Sequence, residues 1–111
     1  MYLEFEKHEE ILIATLIGEL DHNSAEEVRI KIDDRIDRDD ISKVILNFSK
    51  VTFMDSSGIG AVVGRYKKIK NKGGELCIAE TGKNVDRIFE LAGLYKLINK
   101  YDTVDEAVSC I

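Results

Sequence analysis

Short apolar segments alternate with amphipathic segments along the chain, and this alternation limits its fold more than any other feature. Ile11–Ile17 and Val44–Phe48 are nearly unbroken apolar runs, which is typical of strands that are covered on both faces. Between them, Val28, Ile32 and Ile36 recur at helical spacing. This order of elements favours parallel strands joined by helical crossovers. The sequence therefore predicts an α/β fold.

Further elements continue this pattern to the end of the chain. The predicted strands are Tyr2–Lys7, Ile11–Ile17, Val44–Phe48, Glu75–Ala79 and the short Tyr95–Ile98. Helices are predicted after Ser24, from about Ile59 to Gly73, from Lys83 or Asn84 to Gly93, and after Thr103. The first strand alternates apolar and acidic residues, as an edge strand does. We therefore expect one domain over residues 1–111, with a mixed sheet of about four to five strands packed with about four α-helices.

Local patterns predict how the helices begin and which residues they bury. Two pairs have the spacing of a capping box, in which each side chain bonds an amide of the other residue: Ser24 with Glu27, and Thr103 with Glu106. The residues of the first helix expected to face water are Asp33, Asp34, Asp37 and Arg38. The apolar residues expected to face the core in the last two helices include Ala92 and Val108.

The composition excludes several kinds of partner. The 44% of hydrophobic residues and 33% of charged residues are typical of a globular chain, and no apolar run approaches the length of a membrane span. The net charge is −5, whereas binding to a nucleic acid duplex needs a concentrated basic face. The basic cluster lies in the last turns of a helix, where cations offset the dipole: Arg65, Lys67, Lys68, Lys70 and Lys72. We expect neither a nucleic acid nor a membrane partner.

The two cysteines indicate a reducing environment. Cys77 lies in an apolar run and Cys110 lies one residue from the last position. This arrangement offers neither a metal-ligand cluster nor a disulfide framework, and the first residues lack the basic-then-apolar order of a signal peptide. We therefore expect two free thiols in a cytoplasmic protein that has no metal and no cofactor.

The run from Phe53 to Gly60 places two hydroxyls after a carboxylate, where the next helix must begin. Its sequence is Phe53-Met54-Asp55-Ser56-Ser57-Gly58-Ile59-Gly60. The unpaired N–H groups and the dipole of a helix N-terminus favour negative charge, so a serine there can carry a phosphate at little structural cost. The alternative is that Asp55 or Ser56 is only an N-cap. The run therefore predicts either a modification site or a cap.

Enzyme mechanisms that need an activated serine lack a base nearby in the sequence. The histidines are His8 and His22, and neither serine lies in a Gly-x-Ser-x-Gly elbow. The glycines of the run also lack the Lys-Ser/Thr that follows in a phosphate-binding P-loop. Asp21 and His22 follow a buried strand and can approach the serine loop, or they can merely shape a turn before Ser24. We expect no enzymatic activity.

Four segments together resemble a known family. They are Gly18-Glu19-Leu20-Asp21-His22, the run from Phe53 to Gly60, Gly64-Arg65-Tyr66-Lys67 and Gly93-Leu94-Tyr95-Lys96. In this order they resemble the anti-sigma factor antagonists with the STAS fold, above all the sporulation type that releases sigma-F. The resemblance covers essentially the whole chain. Other STAS proteins, such as general-stress antagonists, match the first and third segments less well.

The resemblance implies a protein that switches partners. In the family, the unphosphorylated antagonist binds an anti-sigma factor that is also a serine kinase with bound nucleotide, and the sigma factor is released. The kinase then phosphorylates the serine that follows the motif aspartate, which is Ser56 here, and a serine phosphatase reverses the step. The surface that the resemblance assigns to the partner comprises Asp21, His22, Asp55, Ser57, Gly58, Ile59 and Gly60. Ile59 is equally compatible with a role in the core.

Two alternatives to this function remain open at the level of sequence. One is a different STAS regulator, such as a general-stress antagonist. The other is a STAS domain that binds a nucleotide or a lipid as its ligand.

Overall fold

The computed structural model describes residues 1–111 and contains five strands and four α-helices. The strands are β1 (Tyr2–His8), β2 (Ile11–Leu20), β3 (Lys43–Met54), β4 (Glu75–Ala79) and β5 (Asn99–Tyr101). The helices are α1 (Ala25–Arg38), α2 (Ser57–Asn71), α3 (Lys83–Leu91) and α4 (Val104–Cys110), with a 3-10 turn at Leu94–Lys96. None of these helices has the length and apolar character needed to cross a membrane.

The strands form one mixed sheet in the order β1-β2-β3-β4-β5. The β1–β2 pair is antiparallel and the other three pairs are parallel, as expected where helices connect successive strands. This arrangement confirms the predicted α/β class and the mixed sheet, and β1 lies at an edge as predicted.

Helices cover the two faces of the sheet unequally. Helices α1, α2 and α3 pack on one face over a core of 21 buried residues, which includes Leu46 and Phe48 of β3. The short α4 packs on the other face, where Ala107 belongs to a small apolar cluster that includes Ile45 and Cys77. Successive residues of β3 thus enter different cores, which explains why its sequence is apolar without alternation.

The fifth strand and two inward positions were wrongly predicted. Leu94–Lys96 forms a 3-10 turn, and the strand follows it at Asn99–Tyr101. The Tyr95 hydroxyl donates to Asp86 Oδ1 at 2.6 Å, which holds this turn against α3 and keeps it out of the sheet. Ala92 is exposed because α3 ends one residue before it. Val108 is exposed because only one face of the short α4 packs on the sheet.

The capping boxes were predicted better at α4 than at α1. Thr103 Oγ1 accepts the Glu106 N–H at 3.0 Å, although Glu106 makes no return bond. At α1, the Ser24 hydroxyl donates to the Glu19 carbonyl at 2.7 Å and does not cap the helix. Glu27 instead pairs with Lys31. The predicted box at Ser24 is therefore wrong, because Ser24 bonds back to the end of β2.

A buried ion pair joins α1 and α2, which the sequence prediction missed. Arg65 is only 6% exposed, and its Nε lies 2.7 Å from Asp33 Oδ1, although the two groups are not aligned as a hydrogen bond. Arg65 also donates from Nη1 to the Ala61 carbonyl at 3.3 Å. Burial lowers the pKa of Arg65, and the charge of Asp33 opposes that shift. Asp33 is therefore only partly exposed, with Oδ1 turned toward α2, and Arg65 does not belong to the basic surface cluster.

Gly58 allows α2 to begin directly against the end of β3. A Cβ atom on Gly58 would lie 2.5 Å from the Met54 Sδ and 3.2 Å from a Leu20 methyl carbon. A Cβ on Gly60, two residues later in the same helix, would meet no atom within 4 Å. The close packing of α2 against β3 therefore requires a glycine at position 58 but not at position 60.

This difference predicts opposite effects on stability. Gly58→Ala overpacks the contact with Met54 and is expected to lower the free energy of unfolding by about 1–3 kcal/mol. Gly60→Ala is the matched control and is expected to raise it by about 0.5–1 kcal/mol, because glycine is a poor residue inside a helix. Denaturant unfolding of both variants measures the difference. Equal effects of the two substitutions would contradict the close contact at Gly58.

Candidate functional site

The ends of β2 and β3 lie side by side at one edge of the sheet. Leu20 at the end of β2 is paired with Met54 at the end of β3, and both chains then turn into helices. The loops at residues 21–24 and 55–56 therefore leave the sheet together. This geometry confirms that the segment containing Asp21 and His22 approaches the serine loop.

Asp55 connects these two loops. Its N–H donates to the Leu20 carbonyl at 3.2 Å, and its Oδ2 accepts the backbone N–H of His22 at 3.3 Å. Its Oδ1 accepts the Ser57 N–H at 2.8 Å, so the carboxylate also caps the start of α2. The Ser57 N–H is the main group that holds the pKa of Asp55 below its usual value, and the His22 N–H adds to this effect. Asp55 therefore supplies the capping bond that the alternative interpretation of the run predicted, while the N-cap position itself is Ser56, whose side chain makes no such bond.

Ser56 precedes α2 and has a free hydroxyl. Its side chain makes no capping bond and the residue is exposed, whereas Ser57 is half-buried. An exposed hydroxyl at the outside of the loop is the one that an approaching protein reaches first. The structure thus distinguishes two serines that the sequence presents as neighbours.

The first amides of α2 are already bonded. The Ser57 N–H is bonded to Asp55 Oδ1, the Gly58 N–H to the Asp55 carbonyl at 3.0 Å, and the Ile59 N–H to the Ser56 carbonyl at 3.1 Å. The expectation that unpaired amides await a phosphate here is therefore wrong for Ser57, Gly58 and Ile59. The helix dipole remains, and it favours negative charge at this end of α2.

Asp21 shapes the turn that precedes α1. Its Oδ1 accepts the N–H groups of Asn23 and Ser24, both at 3.0 Å. The Asp21 N–H in turn donates to the Ser24 hydroxyl at 3.0 Å. The turn-forming role of Asp21 is therefore present in the structure, and its half-buried carboxylate also lies next to the loop that holds Asp55 and Ser56.

The remaining predicted residues differ in their access to a partner. His22 is exposed, and it contacts Asp55 through its backbone rather than its ring. Ile59 is half-buried and packs against the main core. Gly58 is buried, so it acts on this surface through the position of α2, whereas Gly60 is exposed.

An exposed aromatic ring near the site was not predicted as a functional residue. Phe53 is 51% exposed, although it belongs to β3 and lies two residues before Asp55. The predicted strand ended at Phe48, so the sequence prediction missed both the extension of β3 to Met54 and the exposed ring of Phe53 on that extension.

Comparisons with known proteins agree with this architecture. The STAS domain model matches residues 2–107. An anti-sigma F factor antagonist of Paenibacillus polymyxa is 38% identical over 98% of this chain and 93% of its own length.

Two solved structures of the anti-sigma factor antagonist SpoIIAA have the same fold. The unphosphorylated form is 28% identical, with a TM-score of 0.76 over 96% of this chain and 94% of its own. The phosphorylated form from Bacillus is 30% identical, with a TM-score of 0.76 over 97% of both chains. The matched domain, the identity over nearly the whole chain and the shared fold lead to one conclusion. The chain belongs to the STAS-domain family, among the anti-sigma factor antagonists.

Proposed function

We propose that this protein releases a sigma factor by binding the anti-sigma factor that holds it. The anti-sigma factor is also a serine kinase with bound nucleotide, and it inactivates the antagonist by phosphorylating Ser56. A serine phosphatase restores the active form. The protein acts in the cytoplasm as a regulator rather than as an enzyme, and it uses no cofactor, metal, nucleic acid or membrane.

The free and exposed hydroxyl of Ser56 is the observation that carries this proposal. It stands at the start of α2, in a chain that resembles anti-sigma factor antagonists over almost its whole length. The side chains around it are held by hydrogen bonds to backbone amides, so the surface is ordered before a partner arrives.

Charge explains how one phosphate can end the interaction. A phosphoserine carries about −1.5 to −2 charges at pH 7. At Ser56 that charge adds to the carboxylates of Asp21 and Asp55 on the same surface. A kinase that holds nucleotide phosphates at this contact is then repelled, and the interface changes while the fold does not.

The direct test is incubation with the anti-sigma factor of the same organism and ATP. We expect one phosphate per chain by mass spectrometry, and binding of the unphosphorylated form only. A chain that neither binds that kinase nor accepts phosphate would contradict the proposal.

Ser56→Ala is expected to abolish phosphorylation and leave an antagonist that stays competent to bind. Ser57→Ala is the matched control and is expected to accept phosphate still, because Ser56 is the more exposed of the two hydroxyls. Peptide mapping by mass spectrometry assigns the modified residue. A phosphate located on Ser57 would overturn the assignment.

Asp21→Asn separates charge from shape. Asparagine retains the Oδ1 acceptor for the amides of Asn23 and Ser24, so the free energy of unfolding is expected to change by no more than about 0.5 kcal/mol. Asp21→Ala removes that acceptor and is expected to cost about 1 kcal/mol. If Asp21 contacts the kinase, the rate of phosphorylation falls in the folded Asp21→Asn variant. An unchanged rate would leave Asp21 with its turn-forming role alone.

Phosphorylation is expected to leave the backbone almost unchanged. The Ser56 side chain makes no capping bond that the phosphate would have to break, and an exposed charge near a helix terminus shifts stability by about 1 kcal/mol or less. Amide chemical shifts of the two forms provide the measurement. Large changes that reach the middle of α1 or α4 would indicate a conformational switch and contradict this account.

A further inference from the structure

The second half of β3 has a free edge. β4 pairs with β3 only as far as the Asn47–Ala79 pair, whereas β2 remains paired with β3 up to Met54, with register shifts before Lys50 and between Val51 and Phe53. Lys50–Met54 therefore has no neighbouring strand on the side of β4. None of these residues makes a backbone hydrogen bond to any element other than β2. An uncovered edge of this kind presents N–H and C=O groups that can pair with another extended chain.

A cleft lies beside this edge. The chain leaves β4 at Ala79 and enters α3 at Lys83, which opens a space of about 350 Å³ between the edge of β3 and the first turn of α3. Residues 51–54 line one side of the space and residues 82–85 line the other. Phe53 lines the cleft with 51% of its surface exposed. Partly exposed aromatic residues are frequent anchors of protein interfaces.

The charge of the cleft differs from that of the whole chain. Lys83 is the single ionisable residue among those that line it, and Lys83 forms no ion pair. Helix α3 begins after Gly82 without a side-chain cap, so its first amides add positive potential at the same place, and the carboxylate in its first turn, Asp86, is paired with Lys100. In a chain with a net charge of −5, this cleft is therefore suited to a carboxylate.

We infer that the free edge of β3 binds an extended, acidic segment of the anti-sigma factor by strand addition, with Phe53 as the apolar anchor and Lys83 as the cation. The inference rests on the proposed function, because its occupant belongs to the same partner. β3 continues directly into Asp55 and Ser56, so one molecule can contact the edge and the phosphate acceptor together. Backbone pairing would supply affinity, and the ring and the ammonium group would supply specificity.

Hydrogen–deuterium exchange on the complex with the anti-sigma factor of the same organism tests the backbone pairing. The added strand is expected to slow exchange by about tenfold or more at those amides within residues 50–54 that point away from β2, since these amides gain hydrogen-bond acceptors. The free protein is the reference. A complex that forms without any added protection at residues 50–54 would overturn strand addition.

Two substitutions test the side chains of the cleft. Phe53→Ser and Lys83→Glu are each expected to weaken binding by about tenfold or more. The matched controls are Leu91→Ser, at a leucine that is 83% exposed outside the cleft, and Lys96→Glu, at an exposed lysine outside it. The controls are expected to bind as the unmodified chain does, and circular dichroism verifies the fold of all four. Wild-type affinity in both cleft variants would overturn the inference.

The failure of this inference can be distinguished from a failure of the proposed function. If Ser56 is phosphorylated and the cleft variants bind normally, the edge is not part of the interface. The inference is then wrong, and the proposed function still holds. Absence of both binding and phosphorylation in the unmodified chain overturns both proposals. Sedimentation of the chain alone tests whether the edge binds a second copy of this chain instead. If self-association is lost in Phe53→Ser, and residues 50–54 are protected without the anti-sigma factor, the edge pairs with a second copy and the inference is wrong.

Discussion

The Asp55 carboxylate is the interaction on which the geometry of the site depends. It accepts one amide from the loop after β2 and one from the first turn of α2, while its own N–H bonds to Leu20. These bonds fix two loops that are 33 residues apart in sequence. Neighbouring residues thus have different roles: Asp55 and the buried Gly58 hold the surface in place, and the exposed Ser56 makes no side-chain cap bond.

Much of the fold was predictable because it depends on apolar pattern. The buried strands and three of the four helix starts follow from runs and spacings that involve only neighbouring residues. The misassigned features depend on contacts between distant segments. The last strand begins later than predicted because Tyr95 bonds to Asp86. Asp33 is less exposed than predicted because Arg65 of α2 lies opposite it. Charged residues give no sign in the sequence that a partner on another helix will bury them.

The sequence predicted which residues lie close together at the candidate site, but it did not predict the structural role of each one. The proximity of Asp21 and Asp55 followed from the rule that parallel strands end at the same edge of a sheet. The sequence could not show that Asp55 caps α2, that the first amides of α2 are occupied, or that Gly58 and Gly60 face opposite environments. Those properties depend on the directions of backbone and side-chain groups in the folded chain, which a sequence motif does not specify.

The long separation along the chain between His22 and Asp55 has a consequence for folding. The β1–β2 hairpin closes through neighbouring residues, and hairpins of this kind form within microseconds. The parallel β2–β3 pair requires α1 to cross over first, and such non-local pairing is slow. The two loops of the site can meet only after that pairing, so we expect this surface to be assembled late. A chain still emerging from the ribosome would then present its serine without the surrounding shape that we propose the kinase recognises.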